Sequence, residues 1–243
     1  MAWIIAAACA FLAWAIWTRR QTLRPATERL KLTERTITTS LILQLFGLAL
    51  MTPRSAASLG WLLAKLTGQP NIDTWIGHSL YISAGGMIGV NVASRLNITD
   101  DELRAGFTKY VARPMTLIVP ISLALLVKSP NADTTWPDFF DCPLDGWLKA
   151  YWVLVCGFIG YILASICWPL ILLRRDPRNR RTATIYLIAC TLGVIVCVSR
   201  IATIGQHLDL STWFWTGDTI IAIAFAYASS QSWRQKQRRL IDQ

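Results

Sequence analysis

Uncharged runs of apolar residues recur along the chain, separated by short segments rich in Arg, Lys, Asp, Pro and Gly. A hydrocarbon core about 30 Å thick is crossed by roughly 20 helical residues. Seven runs approach that length, at 1–17, 36–52, 75–93, 114–127, 148–173, 182–204 and 213–230. The pattern predicts an all-α polytopic membrane protein with seven transmembrane helices in a single domain over residues 1–243. The fourth run is short and carries Pro114 and Pro120. It either begins earlier, near Tyr110, or is broken within the membrane, because Pro removes a backbone donor and kinks a helix. Two amphipathic segments predict short interfacial helices. In the first, Leu59, Leu62, Leu63 and Leu66 recur with Trp61 at helical spacing before the break Gly68-Gln69-Pro70-Asn71. The second opens at a capping box, Thr99-Asp100-Asp101-Glu102, followed by Leu103, Phe107 and Tyr110.

Charge decides the orientation, since short cytoplasmic loops collect Lys and Arg. With the N-terminus outside and the C-terminus in the cytoplasm, 19 of the 24 basic residues fall on the inner side. Arg54, Lys65, Lys128, Lys149 and Arg200 remain outside. The first run lacks a basic segment before it and carries its positive charges after it, so it reads as an uncleaved span with an exported N-terminus rather than as a signal peptide. Composition agrees, with 53% of residues apolar, 16% charged and a mean hydropathy of +0.40. Disorder and a secreted disulfide scaffold are excluded. The basic balance is a topology signal that also suits anionic lipid headgroups, and its scatter over four short segments gives no footprint for nucleic acid. The predicted location is a bacterial plasma membrane.

The chain's chemistry is sparse. Six cysteines show neither a CxxC pair nor a His at metal-ligand spacing, so no metal, no thiol catalysis and no cofactor is predicted. Protease, prenyl-diphosphate and paired-aspartate motifs are absent, and the expected role is non-enzymatic. Gly85 and Gly89 form a GxxxG pattern that serves either internal helix packing or a homodimer or partner-protein face. The loop 129–147 gathers Asp133, Asp138, Asp141 and Asp145 with Trp136, Phe139 and Phe140, either as a solvated acidic loop or as one that gates or recognises a cationic ligand.

Ionisable groups inside spans carry the most information, because hydrocarbon disfavours them and they pair or line a pathway. At 1.5 Å per residue, His78, Arg200 and Asp218 sit roughly 5, 6 and 8 Å below the outer ends of their spans, with His207 in the loop just above. The sixth and seventh spans are antiparallel neighbours, which predicts an Arg200–Asp218 pair. Two readings of this layer compete. In one, Arg200 snorkels to the headgroups, Asp218 neutralises it and His78 makes an interhelical hydrogen bond. In the other, the layer lines an outward-facing cavity where Arg200 holds a small polar or anionic ligand while Asp218 and His78 exchange protons or orient it.

From Arg24-Pro25 through the Leu-rich second span to Leu66-Thr67-Gly68-Gln69-Pro70-Asn71-Ile72, residues 20–95 resemble the membrane region of a family of uncharacterised actinobacterial multi-pass proteins, often labelled transporters. The resemblance implies a multi-pass fold and a transport role. Such proteins typically continue into a sizeable cytoplasmic domain, whereas here Gln243 follows soon after the last span. Small-solute transport and ligand sensing stand together as the expected function, with a non-enzymatic accessory, regulatory or immunity/exclusion subunit as the alternative.

Overall fold

The structure is a computed structural model that describes residues 2–23, 29–96, 98–206 and 210–241. Each apolar run is helical over most of its described length, and among the described residues there is no strand. The helices are α1 (Ala2–Arg19), α2 (Arg29–Leu50), α3 (Pro53–Thr67), α4 (Ile72–Ala93), α5 (Asp100–Lys128), α6 (Gly146–Leu173), α7 (Arg180–Ala202) and α8 (Ser211–Ile241). By length and composition α5, α6 and α7 can each cross a membrane, and α2 with α3, bent by 65° at their junction, adds a fourth if the pair is one span.

Local chemistry sets the boundaries. Thr52 caps the start of α3 by accepting from the Ser55 N–H, and Gly68 ends it at φ 72°. A left-handed residue there satisfies the last carbonyls, and only glycine adopts it without strain. The helix leaves Leu59, Trp61, Leu62 and Leu66 exposed, the apolar face its spacing predicts. The capping box is present in full, with Thr99 N donating to Glu102 Oε2 at 2.8 Å and Glu102 N donating to Thr99 Oγ1 at 3.2 Å.

The fourth run begins earlier than its apolar residues suggest. It is the C-terminal part of the 29-residue helix α5, which carries a π-turn at Thr108–Ala112 just before Pro114 and holds Pro120 in its interior without breaking. The π-turn lies beside Pro114, where the helical ladder lacks a donor. Next to Pro120, Trp75 Nε1 ties α5 to α4 by donating to Val119 O and Ser122 Oγ at 3.2 and 3.1 Å.

Six helices close into a ring in the spatial order α1, α2, α4, α6, α7, α8 and back to α1, while α5 stands outside it against α6 and α4. The core runs down this ring, with Ile82, Ile88, Ile162, Ile166, Cys190 and Phe225 meeting between α4, α6, α7 and α8. A second cluster joins α1 and α2 to α8 through Leu12, Leu41, Leu48 and Trp215. Gly85 and Gly89 face α6, where Ile162 Cγ2 and Ile166 Cγ1 lie 3.2 and 3.5 Å from where their side chains would begin. Of the two uses predicted for the GxxxG pattern, the chain fills this face itself.

Candidate functional site

The 129–145 segment folds inward as a plug over one end of the ring. Asn71, at φ 59° before α4, anchors it by donating to Ala132 O and Thr134 O at 3.0 and 2.8 Å and accepting from Trp136 N at 2.9 Å. Asp138 is buried, accepting from Trp215 Nε1 at 2.7 Å and from Phe140 N at 2.9 Å. Asp145 caps α6 through Leu148 N at 2.8 Å and accepts from the Ser129 hydroxyl. Burial alone would raise the Asp145 carboxyl, but the Ser129 hydroxyl and the backbone N–H groups of Leu148, Asn131 and Trp147 outweigh it and hold the group below the usual carboxylate range. Of the two uses weighed for the acidic loop, the solvated one holds for Asp133 and Asp141, which are exposed, whereas Asp138 and Phe139 are buried and Phe140 stacks on Trp152 and Phe214.

Beneath the plug lie two adjoining cavities of about 60 Å³ each. The upper one brings together His78 from α4, Trp152 and Cys156 from α6, Arg200 from α7, Asp218 from α8 and Phe140 from the plug. The lower one is lined by Gln44, Gly85, Ile162 and Phe225, and shares Tyr81, Ile159, Cys197 and Asp218 with the upper. Each has room for a few water molecules or one small ion, and neither approaches the roughly 300–1,000 Å³ of a drug-sized pocket.

Arg200 is the unusual group in this space. Only 9% of it is exposed, and its guanidinium carbon stands 4.3 Å from the Trp152 ring centroid and 5.3 Å from those of Phe140 and Phe214. Ring faces attract a cation, yet they supply no acceptor for its N–H groups. Among the described residues, Nε and Nη2 have no hydrogen-bond partner. Leaving buried donors unmade costs about 1–3 kcal/mol, more for a charged group, so the geometry favours an acceptor beside them.

The expected Arg200–Asp218 ion pair is absent from the described residues, and the carboxylates that act electrostatically on Arg200 include Asp138 and Asp141 in the plug. The reason is register. Gly217 meets Val196, whose Cγ2 lies 2.6 Å from where a Gly217 side chain would begin. That puts Asp218 level with a point about one turn deeper than Arg200 on α7. His78 joins the same cavity while hydrogen-bonding Tyr151 Oη through Nδ1 at 2.8 Å and packing edge-on against Trp152. His207, the fourth predicted site residue, lies outside the described residues. Among the described residues, no group of three His, Cys, Asp or Glu side chains is arranged to hold a metal.

Sequence reading missed the cluster at the opposite end of the ring. Arg19, fully buried, donates to Glu34 Oε2 at 2.6 Å, to Thr38 Oγ1 at 3.1 Å and to Ser229 O at 2.6 Å. Lys236 bonds the other Glu34 oxygen, and Arg95 approaches it at 3.8 Å while donating to Ser232 Oγ at 3.2 Å. One carboxylate thus joins α1, α2, α8 and the residue just beyond α4. The available signal was that Glu34 is the one acid in the basic segment 18–35 apart from Glu28. Set against known protein families, curated proteins and solved structures, the chain matches none of them.

Proposed function

We propose that the protein is a seven-span protein of a bacterial plasma membrane, N-terminus outside and C-terminus in the cytoplasm, that binds a small monovalent anion from the outer side and carries it across the bilayer. The observation that carries this reading is the pair of buried, unpartnered nitrogens on Arg200 beside a cavity of about 60 Å³. A cation with spare donors in a low-dielectric site attracts an anion strongly. The size of the space selects species such as chloride, nitrate or formate over sugars and amino acids. The aromatic faces around the guanidinium hold it without consuming its donors, and Asp218 and Tyr81, shared by both cavities, line the way deeper. The Glu34 cluster fastens the far end of the ring, which suits a site reached from one side at a time.

A second reading, a regulatory or accessory subunit acting through a membrane partner, is favoured by one feature. Only 11% of the apolar stretch of α5 is buried, against 39% for α6 and α7, which leaves Leu117, Ile121 and Val127 facing outward. Anion flux into proteoliposomes separates the two. Transport requires formate or chloride uptake above that of protein-free vesicles, falling to the protein-free rate in Arg200→Gln. Anion binding without flux supports the regulatory reading.

A further inference from the structure

Among the described residues Asp218 is the one carboxylate lining either cavity, and it borders both, so an anion moving from the upper space to the lower passes it. No cation balances it there. Arg200, the one arginine or lysine lining these spaces, makes no ion pair with Asp218 among the described residues. The plug carboxylate of Asp138 also acts on Arg200, while accepting from Trp215 Nε1 and Phe140 N. The groups that face Asp218 are His78 and Tyr81 from α4, Cys156 from α6, Cys197 and Arg200 from α7 and Gln44 from α2, and Cys9 of α1 packs in the cluster that holds Tyr81. The His78 ring is engaged with Tyr151 Oη, and Gln44 Nε2 donates to Ser40 Oγ at 3.1 Å. The Tyr81 hydroxyl is buried without a hydrogen-bond partner among the described residues. Unmatched donors therefore stand at two levels, Arg200 Nε and Nη2 in the upper space and Tyr81 Oη on the wall shared with the lower.

An ionised Asp218 and a monovalent anion would put two negative charges beside one guanidinium in a space of about 60 Å³. Like charges at close range in a low-dielectric site repel strongly, and a carboxylate offers the anion nothing but acceptors. A proton on Asp218 removes the repulsion and supplies an O–H donor beside that of Tyr81. We propose that Asp218 takes up one proton for each anion held at Arg200, so that the protein carries anion and proton across the membrane together, in the same direction. This inference rests on the anion reading above. The proton comes from the aqueous phase that supplies the anion, rides on an Asp218 carboxyl oxygen and leaves to the opposite phase. One charge of each sign crosses, and the cycle moves no net charge. Binding is reciprocal, since the proton raises the affinity for the anion by the same factor as the anion raises the affinity for the proton.

The test places the full chain in proteoliposomes with a pH-sensitive dye inside, potassium nitrate as the probe, and potassium with valinomycin to hold the membrane potential at zero. The expected result is internal acidification above that of protein-free vesicles, in step with nitrate uptake and at one proton per nitrate. In detergent, the nitrate concentration needed to raise Tm should grow about tenfold per pH unit where Asp218 is ionised in the empty site, the slope of one linked proton. Asp218→Asn keeps a donor and cannot ionise, so its nitrate affinity should be independent of pH and its nitrate uptake should bring no acidification. Should that variant not fold, the wild-type ratio of protons to nitrate decides alone. Nitrate uptake without acidification overturns the proposal. Undiminished acidification in Asp218→Asn also overturns it and puts the proton on another facing group, such as His78. An absence of nitrate binding and flux at every pH sinks the anion reading and this inference with it, an outcome distinct from flux without protons.

Discussion

The two ends of the helical ring handle buried charge in opposite ways. At one end a single carboxylate, Glu34, meets Arg19, Lys236 and Arg95, and each hydrogen-bonding nitrogen of Arg19 has an acceptor. At the other, Arg200 sits among three aromatic rings with two donors unmatched, while Asp218 one turn deeper forms no ion pair among the described residues. A satisfied network ties helices together, whereas an unsatisfied one stores affinity for something outside the chain. The contrast separates a clamp from a site without reference to any known protein.

Breaking the clamp carries the largest expected effect. Glu34→Ala leaves the fully buried Arg19 guanidinium without its counter-charge, a loss of roughly 3–5 kcal/mol. Thermal unfolding in detergent should show a large drop in Tm or no folded protein. A wild-type Tm would mean that the cluster is not a clamp.

The plug is expected to matter less. Asp145→Ala removes the cap of α6, worth about 0.5–2 kcal/mol. Because the Asp145 carboxyl lies lower when folded than unfolded, its contribution is present above the ordinary carboxylate range and fades as pH falls through the lowered folded value. An acid titration of Tm should therefore be flatter in Asp145→Ala than in the wild type, and identical profiles count against the cap.

Arg200→Met is expected to do least to the fold. It removes a buried cation whose donors are unmatched, so in anion-free buffer its stability should stay within about 1 kcal/mol of the wild type or exceed it. A loss as large as that of Glu34→Ala would make Arg200 a second clamp and erase the contrast between the two ends.

The helices were largely legible because hydropathy and Pro or Gly breaks act locally. Both amphipathic segments were legible as helical, one by its Leu spacing and one by the Thr99–Glu102 box, although the second runs on without a break into the rest of α5 instead of forming a separate short helix. The location of the polar layer was legible too, since His78, Arg200 and Asp218 do border one cavity. Partnership was not. Helical depth counted from span ends put Arg200 and Asp218 at similar levels, but the Gly217–Val196 contact sets their relative register, and nothing in either helix alone encodes it. The aromatic cage draws on the plug, α6 and α8. Such constellations arise only when distant segments meet, as Arg19, Glu34 and Lys236 also do.

The most direct measurement is the anion dependence of thermal stability, because a ligand that binds only the folded state raises Tm with its concentration. Purified wild-type protein and Arg200→Met would be melted in potassium chloride, nitrate or formate and in potassium gluconate at matched ionic strength, gluconate being too large for a cavity of about 60 Å³. The expected result is a concentration-dependent rise in Tm with the small anions for the wild type alone. The same Tm in all four salts, or an equal rise in Arg200→Met, would contradict an anion site at Arg200.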